Sequence, residues 1–182
     1  GDAFDIRIDE KIAETKKLKG AHVYFGGNFG SSVLATANVM IAAAGAEGTT
    51  VIEHAACEPE IAELACFLSQ FGAEISGAGS HCLTIEGNPD LTQPSSIEYK
   101  VIPDRIEAGT YIMIGASAGN ELTVRDVPRG HLGAVVDKLE TAGVRFEWKE
   151  HSCRVDAPDK LLPLNVTTLP YPGYPTDLQA QI

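Results

Sequence analysis

The sequence predicts an α/β fold assembled from repeated βαβαββ units of about 71 residues, and three observations carry that prediction. Displaced by 71 positions, the chain falls on itself: Gly48 on Gly119, Gly72 on Gly143, Cys82 on Cys153, Leu68 on Leu139, Ile61 on Leu132, Ala65 on Val136 and Ile41 on Ile112. Within each copy the apolar spacing switches between helical and strand periods in the same order. Glycines punctuate both copies at matching places, where a helix should give way to a strand.

The first copy opens with an Ala-rich helix over about Ser32–Glu47, closed by Gly48. Thr49–Glu53, rich in β-branched residues, reads as a strand. Pro59 opens a second helix, because its fixed φ suits the first turn and its missing N–H is not needed there. Ile61, Leu64, Ala65, Leu68 and Phe71 supply that helix's apolar stripe, and Gly72 closes it. Short strands over Ala73–Ser76 and Cys82–Glu86 follow, joined through Gly77-Ala78-Gly79. The second copy repeats this order. It has a helix over Arg105–Ala118, a strand over Leu122–Asp126 and a helix carrying Leu132, Val135, Val136 and Leu139. Strands over Val144–Trp148 and Cys153–Asp156 complete it. Phe4–Ile8 reads as the closing strand of an earlier copy and Ala21–Phe25 as the opening strand of the first. Leu164–Thr168 reads as the opening strand of a third copy, and Thr176–Gln181 as the start of its helix. A chain that begins at Gly1 and stops inside that helix is expected to be an internal part of a longer repeat protein. The stretch Gly87–Ser96, with two prolines, is the expected flexible boundary between the copies.

Composition narrows the function. With 44% hydrophobic and 21% charged residues, the chain can bury a core and is not of the disordered class. Its longest apolar run, about Val39–Ala46, falls far short of the roughly 20 residues a membrane helix needs. The net charge is −11, and no Lys or Arg occurs between Lys19 and Lys100, where nine acids stand. Nucleic acids and anionic membrane surfaces are therefore not expected partners, since both are bound through cations. Cys57, Cys66, Cys82 and Cys153 form no C-x-x-C pair, which suits free thiols in a reduced, cytoplasmic setting. The five histidines, at 22, 54, 81, 131 and 151, show neither metal spacing nor a catalytic-triad order, and no metal or cofactor is expected.

Three junctions place small or polar residues where a helix should begin: Gly26-Gly27-Asn28-Phe29-Gly30-Ser31-Ser32, Ile102-Pro103-Asp104-Arg105 and Tyr174-Pro175-Thr176-Asp177. Free N–H groups and the helix dipole attract anions at such starts. Plain N-capping explains Ser31 and Ser32 as well as ligand contact does. Asp104, Arg105 and Glu107 also fit a local ion pair, and Glu58 beside Pro59 a cap. Asp177 follows the proline-rich stretch Pro170–Pro175, which would hold its carboxylate in one place.

Three segments resemble the UDP-N-acetylglucosamine enolpyruvyl transferases: Ala46–Ile61, with Glu58-Pro59-Glu60-Ile61; Pro103–Thr110; and Pro172–Gln181. The resemblance covers essentially the whole chain. It implies an inside-out α/β barrel, with helices inside and sheets outside in each of two domains and the active site in the cleft between them. Residues 1–102 would be the later part of the first transferase domain and 103–182 the beginning of the second. The implied reaction moves enolpyruvyl from phosphoenolpyruvate to the 3-hydroxyl of UDP-N-acetylglucosamine and releases phosphate, the first committed step of peptidoglycan synthesis. On this resemblance Asp177 is the candidate base, with Thr176 beside it as a substrate-binding position. Ser32 and Val33 match uridine-nucleotide contacts. Glu58, Asp104, Arg105 and Glu107 match positions lining the cleft. The partners implied are the two substrates and the remainder of the same polypeptide.

The sequence departs from the family pattern at three places. The family usually has Lys where Gly30 stands, Gly at Leu34 and a basic residue at Cys57. None of the four cysteines matches the one on the family's mobile loop. Two further readings stay open: a non-catalytic paralogue that binds a sugar nucleotide, and the sister transferase acting on shikimate 3-phosphate.

Overall fold

A computed structural model describes residues 17–27, 30–91, 96–118 and 121–182. The expected strand Phe4–Ile8, Gly119 and part of the Gly87–Ser96 boundary lie outside the described residues. Two compact units are present, residues 1–100 and 101–182, each with its own buried core.

In the first unit Ser32 caps helix α1 (Val33–Ala44), its Oγ accepting the Ala35 N–H at 3.2 Å. α1 ends at Gly45, not at Gly48 as expected from the sequence. The reason is strand pairing: the Glu47 N–H donates to Leu18 O, and Glu47 O accepts from Gly20, both at 2.8 Å. Residue 47 is thereby drawn into a parallel bridge with Lys19. Gly48, at φ +86°, becomes the first residue of β2 (Gly48–Glu53). Strand β1 (His22–Tyr24) pairs parallel with β2, and β2 pairs antiparallel with β4 (Cys82–Gly87). β4 pairs with β3 (Glu74–Ser76), giving the order β1-β2-β4-β3. Alternation along β2 and β4 turns Thr50, Ile52, Leu83 and Ile85 inward. They meet Met40 of α1 and Ile61 and Leu68 of α2 (Pro59–Ser69).

The second unit holds α3 (Arg105–Ala118), β5 (Leu122–Arg125), a 3-10 turn at Arg129–His131, α4 (Gly133–Thr141), β6 (Arg145–Lys149) and β7 (Ser152–Asp156). Its antiparallel sheet has the order β5-β7-β6. Ile112, Leu132, Val135, Cys153 and Val155 are fully or almost fully buried between sheet and helices. The whole βαβαββ order is thus seen once, and the second unit shows αβαββ among the described residues.

The expected strand Leu164–Thr168 is not formed; only Thr168 makes a bridge, to Tyr174. β1 in the first unit is held by the strand that follows the next helix. The equivalent partner of 164–168 would have to follow Thr176, and no strand does so here. The helix expected over Thr176–Gln181 is likewise reduced to a 3-10 turn, Thr176–Leu178.

The two units do not match at one constant offset. The N-caps Ser32 and Asp104 are 72 positions apart, as are the buried pairs Thr36 and Ala108, Met40 and Ile112, and Ala44 and Ala116. Gly72 and Gly143 are 71 apart. On the last strands the inward pairs are Leu83 with Cys153 and Ile85 with Val155, 70 apart. The coincidences of Cys82 with Cys153 and of Ile41 with Ile112 are therefore not structural equivalences. Cys82 and Ile41 are exposed while Cys153 and Ile112 are fully buried, because a slip of one position moves a strand side chain to the other face and turns a helical one by about 100°.

The matching glycines do share one job. In α2 the Gly72 N–H donates to Ser69 O and Ala73 to Leu68 O; in α4 Gly143 donates to Glu140 O and Val144 to Leu139 O. Both ends are Schellman motifs, with the glycine at φ +89° and +100°. Gly72→Ala and Gly143→Ala should each lower stability by about 1–2 kcal/mol, the cost of a Cβ in the left-handed region. Gly45→Ala, at φ −96° with Leu91 Cδ1 at an ordinary contact distance of 3.9 Å from its Cβ, should be neutral or stabilising. Urea unfolding midpoints of the three variants check the contrast.

Candidate functional site

In the first unit the candidate residues gather at the start of α1. Ser32 is the N-cap, and Val33 is the first helical residue, partly exposed. Thr36, fully buried, donates through Oγ1 to Ser32 O at 2.8 Å and accepts the Ala56 N–H at 3.0 Å. That single side chain ties the loop after β2, which leads into Glu58, to the first turn of α1. Glu58 occupies the N-cap position of α2 but makes no capping bond with its side chain, contrary to the cap expected for it; it is 7% exposed. Cys57 Sγ lies 3.2 Å from His81 Nδ1, and both approach Ala55 O. Burial, with the Glu58 carboxylate adding to it, pushes the Cys57 thiol up from its ordinary value.

Gly30 has φ +91° in a turn closed by its N–H to Gly27 O. A lysine there, as the family pattern has it, would carry a left-handed strain of about 1–3 kcal/mol in this backbone. Glycine at 30 is thus consistent with the local conformation, and Asn28 and Phe29 lie outside the described residues.

In the second unit Asp104 caps α3: its Oδ1 accepts from Ile106 N at 2.8 Å and from Glu107 N at 3.1 Å. Glu107 stands exposed in the first turn. Together with Tyr111 and Asp126 these acids line a shallow groove of about 280 Å³. Arg105 is 7% exposed, its guanidinium 5.6 Å from the centroid of the Tyr171 ring. Tyr171 O–H donates to Gly130 O at 3.1 Å. Thr176 and Asp177 are both exposed on the 3-10 turn, and the next residue, Leu178, is fully buried. Tyr174, 3% exposed, donates its O–H to Leu178 O at 3.1 Å, and burial pushes its phenol up to about 12. The structure therefore brings the second and third junctions together against α3.

Residues 4–182 match the family model described as EPSP synthase (3-phosphoshikimate 1-carboxyvinyltransferase). The chain belongs to this family. Among curated relatives, a UDP-N-acetylglucosamine 1-carboxyvinyltransferase of Halothermothrix orenii is 45% identical over 180 residues, which cover 98% of this chain and 42% of that protein. One from Methylacidiphilum infernorum is 44% identical over 97% of this chain and 42% of its own length. A third, UDP-N-acetylglucosamine 1-carboxyvinyltransferase 2 of Streptococcus mutans, is 47% identical over 93% of this chain and 39% of its own. The chain thus spans about two fifths of these relatives. In fold it is similar to the enolpyruvyl transferase NikO from Streptomyces tendae, with a TM-score of 0.78 at 24% identity over 91% of this chain and 41% of that one. It is less similar to an EPSP synthase from Acinetobacter baumannii, with a TM-score of 0.51 at 18% identity over 77% of this chain and 32% of that one.

The sequence pointed to the Pro170–Pro175 stretch, with Tyr171 and Tyr174 in it, as what holds Asp177, and missed Thr36, Gly109 and Leu178, which hold this EPSP synthase family chain in place around its candidate carboxylates. A signal existed for Thr36, a hydroxyl within the apolar α1. No helix among the described residues is long and apolar enough to cross a membrane, and no group of three or more His, Cys, Asp or Glu among them is arranged to hold a metal ion.

The four thiols should report this geometry. Cys66 and Cys82 are exposed, Cys57 is half-buried with a raised pKa, and Cys153 is buried and pushed up to about 11 by burial, against the pull of Arg129. In the native protein near pH 8, a thiol reagent should modify Cys66 and Cys82 first, Cys57 slowly and Cys153 only on unfolding. Mass spectrometry of digested samples gives the order, and early labelling of Cys153 would contradict the packing of β7.

Proposed function

We propose that the full-length protein transfers enolpyruvyl from phosphoenolpyruvate to the 3-hydroxyl of UDP-N-acetylglucosamine, releasing phosphate, as a cytoplasmic step of peptidoglycan synthesis. The observation that carries this reading is the 44–47% identity, over nearly the whole chain, to relatives that bear the name of that enzyme. The family model's own description names the shikimate 3-phosphate reaction, but the solved enzyme of that name is only 18% identical.

A sugar hydroxyl is a poor nucleophile, so a positioned group must take or direct its proton as it attacks the enolpyruvyl carbon. On this reading Asp177 is that group. Its carboxylate is exposed while the flanking Leu178 is buried, an arrangement that presents a reactive group from a fixed backbone. Thr176 lies beside it. At the start of α1 the first-turn N–H groups and Ser32 face the nucleotide, with Val33 against it. Glu58, Asp104, Arg105 and Glu107 line the cleft, with residues 1–102 in one transferase domain and 103–182 in the other.

The composition of α1 supports the inside-out architecture. Its twelve residues carry no charge, yet Leu34 is 75% exposed and Ile41 54% exposed. A helix without a charge, whose exposed face carries two large apolar side chains and the amide of Asn38, suits an interior better than a surface. In the full-length protein this face is covered by the remainder of the polypeptide. Ile41→Asp in that protein should therefore lower stability by more than about 2 kcal/mol, where a true surface position would change it by about 0.5 kcal/mol or less. Chemical unfolding measures the difference.

Phosphate release by the full-length protein tests the reaction. It should require phosphoenolpyruvate together with UDP-N-acetylglucosamine, and the 182-residue chain alone should release none. Release with shikimate 3-phosphate in place of the UDP-sugar would make it the sister enzyme. UDP-sugar binding without release would make it a non-catalytic paralogue. Asp177→Ala should lower kcat by roughly 10²–10⁴-fold with little change in binding of the UDP-sugar. If Asp177→Asn restores most of that rate, the carboxylate orients the hydroxyl rather than taking its proton. If both variants raise KM alone, Asp177 is a binding contact.

A further inference from the structure

Asp177 is held by a turn that has no regular helix to brace it. The 3-10 turn spans only Thr176–Leu178, and its N-cap, Pro175, offers no side-chain bond. Its rigidity comes instead from what lies on either side of the carboxylate. Leu178 is fully buried against α3, at Gly109. A Cβ placed on Gly109 would come within 2.6 Å of Leu178 Cδ1 and 3.5 Å of Leu132 Cδ2. A glycine in the middle of a fourteen-residue helix costs helix stability, so its presence asks for a packing reason, and the leucine in its notch supplies one. On the same turn, the buried Tyr174 O–H holds Leu178 O at 3.1 Å, and the Leu178 N–H closes on Pro175 O at 3.2 Å. Beyond it, Gln181 Nε2 donates to Thr110 Oγ1 of α3 at 3.2 Å.

We propose that Gly109, Leu178 and Tyr174 are positioning residues for the transfer reaction: a leucine knob seated in a glycine notch, tied by a buried phenol, fixes the backbone from which the Asp177 carboxylate reaches the substrate hydroxyl. The proposal rests on Asp177 being the group that acts on that hydroxyl. Displacing a catalytic group by about 1 Å costs up to roughly 100-fold in rate. A methyl added at Gly109 would stand 2.6 Å from Leu178 Cδ1, so the leucine methyl must move by about 1 Å to reach ordinary contact. Because Leu178 is fully buried in a close-packed core, the shift is passed in part to the turn that carries it. The burden falls on the transition state, because the groups that hold the nucleotide lie on other elements.

The test uses the full-length enzyme. Gly109→Ala should lower kcat about tenfold to 100-fold while KM for UDP-N-acetylglucosamine stays within about twofold. Adding Leu178→Val, which removes the methyl that the new Cβ meets, should recover much of the lost rate. Tyr174→Phe keeps the shape of the core and loses the tie to Leu178 O, together with a weak 3.9 Å contact to Met113 Sδ, so it serves if Gly109→Ala does not fold; it should lower kcat several-fold with KM unchanged. In an Asp177→Ala background none of these substitutions should reduce the rate further. A kcat that stays at the wild-type value in both Gly109→Ala and Tyr174→Phe overturns the proposal, as does a loss of rate that persists in full when Asp177 is absent. An Asp177→Ala enzyme with wild-type kcat instead removes the reading of Asp177 on which the proposal stands.

Discussion

Both units depend on a reversal of the chain at the end of their second helix, and that reversal depends on a residue without a Cβ. At Gly72 and Gly143 the backbone enters the left-handed region, and two hydrogen bonds fold the next residue back onto the helix's last turn. The apolar pair this brings together, Leu68 with Ala73 and Leu139 with Val144, is buried in both units. The consequence runs outward from there. The reversal sets the phase of the strand that follows, β3 or β6, and this strand pairs with β4 or β7. That pairing decides which face of the last strand meets the helices. With the phase set, Leu83 and Ile85 in one unit and Cys153 and Val155 in the other close the core.

The order of elements was legible because each obeys its own period, and helix and strand periods are hard to confuse over segments as apolar as these. The offset between copies was less so. A single displacement of 71 aligns the reversal glycines, but the structure needs 72 in the first helix and 70 in the last strand. The second copy is one residue shorter before the reversal glycine and one shorter again after it, so the offset drifts from 72 to 70 and a search at one fixed shift cannot follow it. It returns identities such as Cys82 with Cys153, which stand on opposite faces. The end of α1 was hidden for a different reason. Gly48 has the left-handed φ of a helix stop, yet pairing of Glu47 with the chain at Leu18 and Gly20 ends the helix three residues sooner. Long-range pairing overrides a local signal, and neither partner is adjacent in sequence.

The candidate site divides along the same line. Residues whose role is local were the easier to place: Ser32, read as an N-cap, caps α1, while Asp104, read as part of a local ion pair at the start of α3, serves as that helix's cap. Residues whose role is to hold others were harder. Thr36 matters because Ala56 arrives at its hydroxyl from 20 positions away, and Gly109 because Leu178 arrives from 69 positions away. Glu58 was legible as a helix-start residue but not as a buried one, since a proline after it says nothing of what packs over its carboxylate.

Charge says which end of the proposed reaction these residues serve. Both proposed substrates carry phosphate, yet the chain is at −11 and has no cation between Lys19 and Lys100. In the second unit the arginines with defined partners are committed to structure. Arg105 lies over Tyr171, Arg129 over Trp148, and Arg154 is paired with Glu121 and Glu147. Fixed negative charge repels an anion over about 8 Å at physiological ionic strength, so phosphates need cations close at hand rather than a favourable average field. The sugar ring makes the opposite demand. It is neutral, its hydroxyls are donors, and carboxylates are strong acceptors for them. Asp177, Asp104 and Glu107 stand exposed on the second unit, and Asp104 and Glu107 share their groove with Asp126 and a single cation, Arg125. On the proposed reading, then, this part of the protein handles the hydroxyl end of the UDP-sugar. The grip on phosphate falls to helix-start N–H groups, such as those behind Ser32, and to cations supplied from elsewhere in the full-length enzyme.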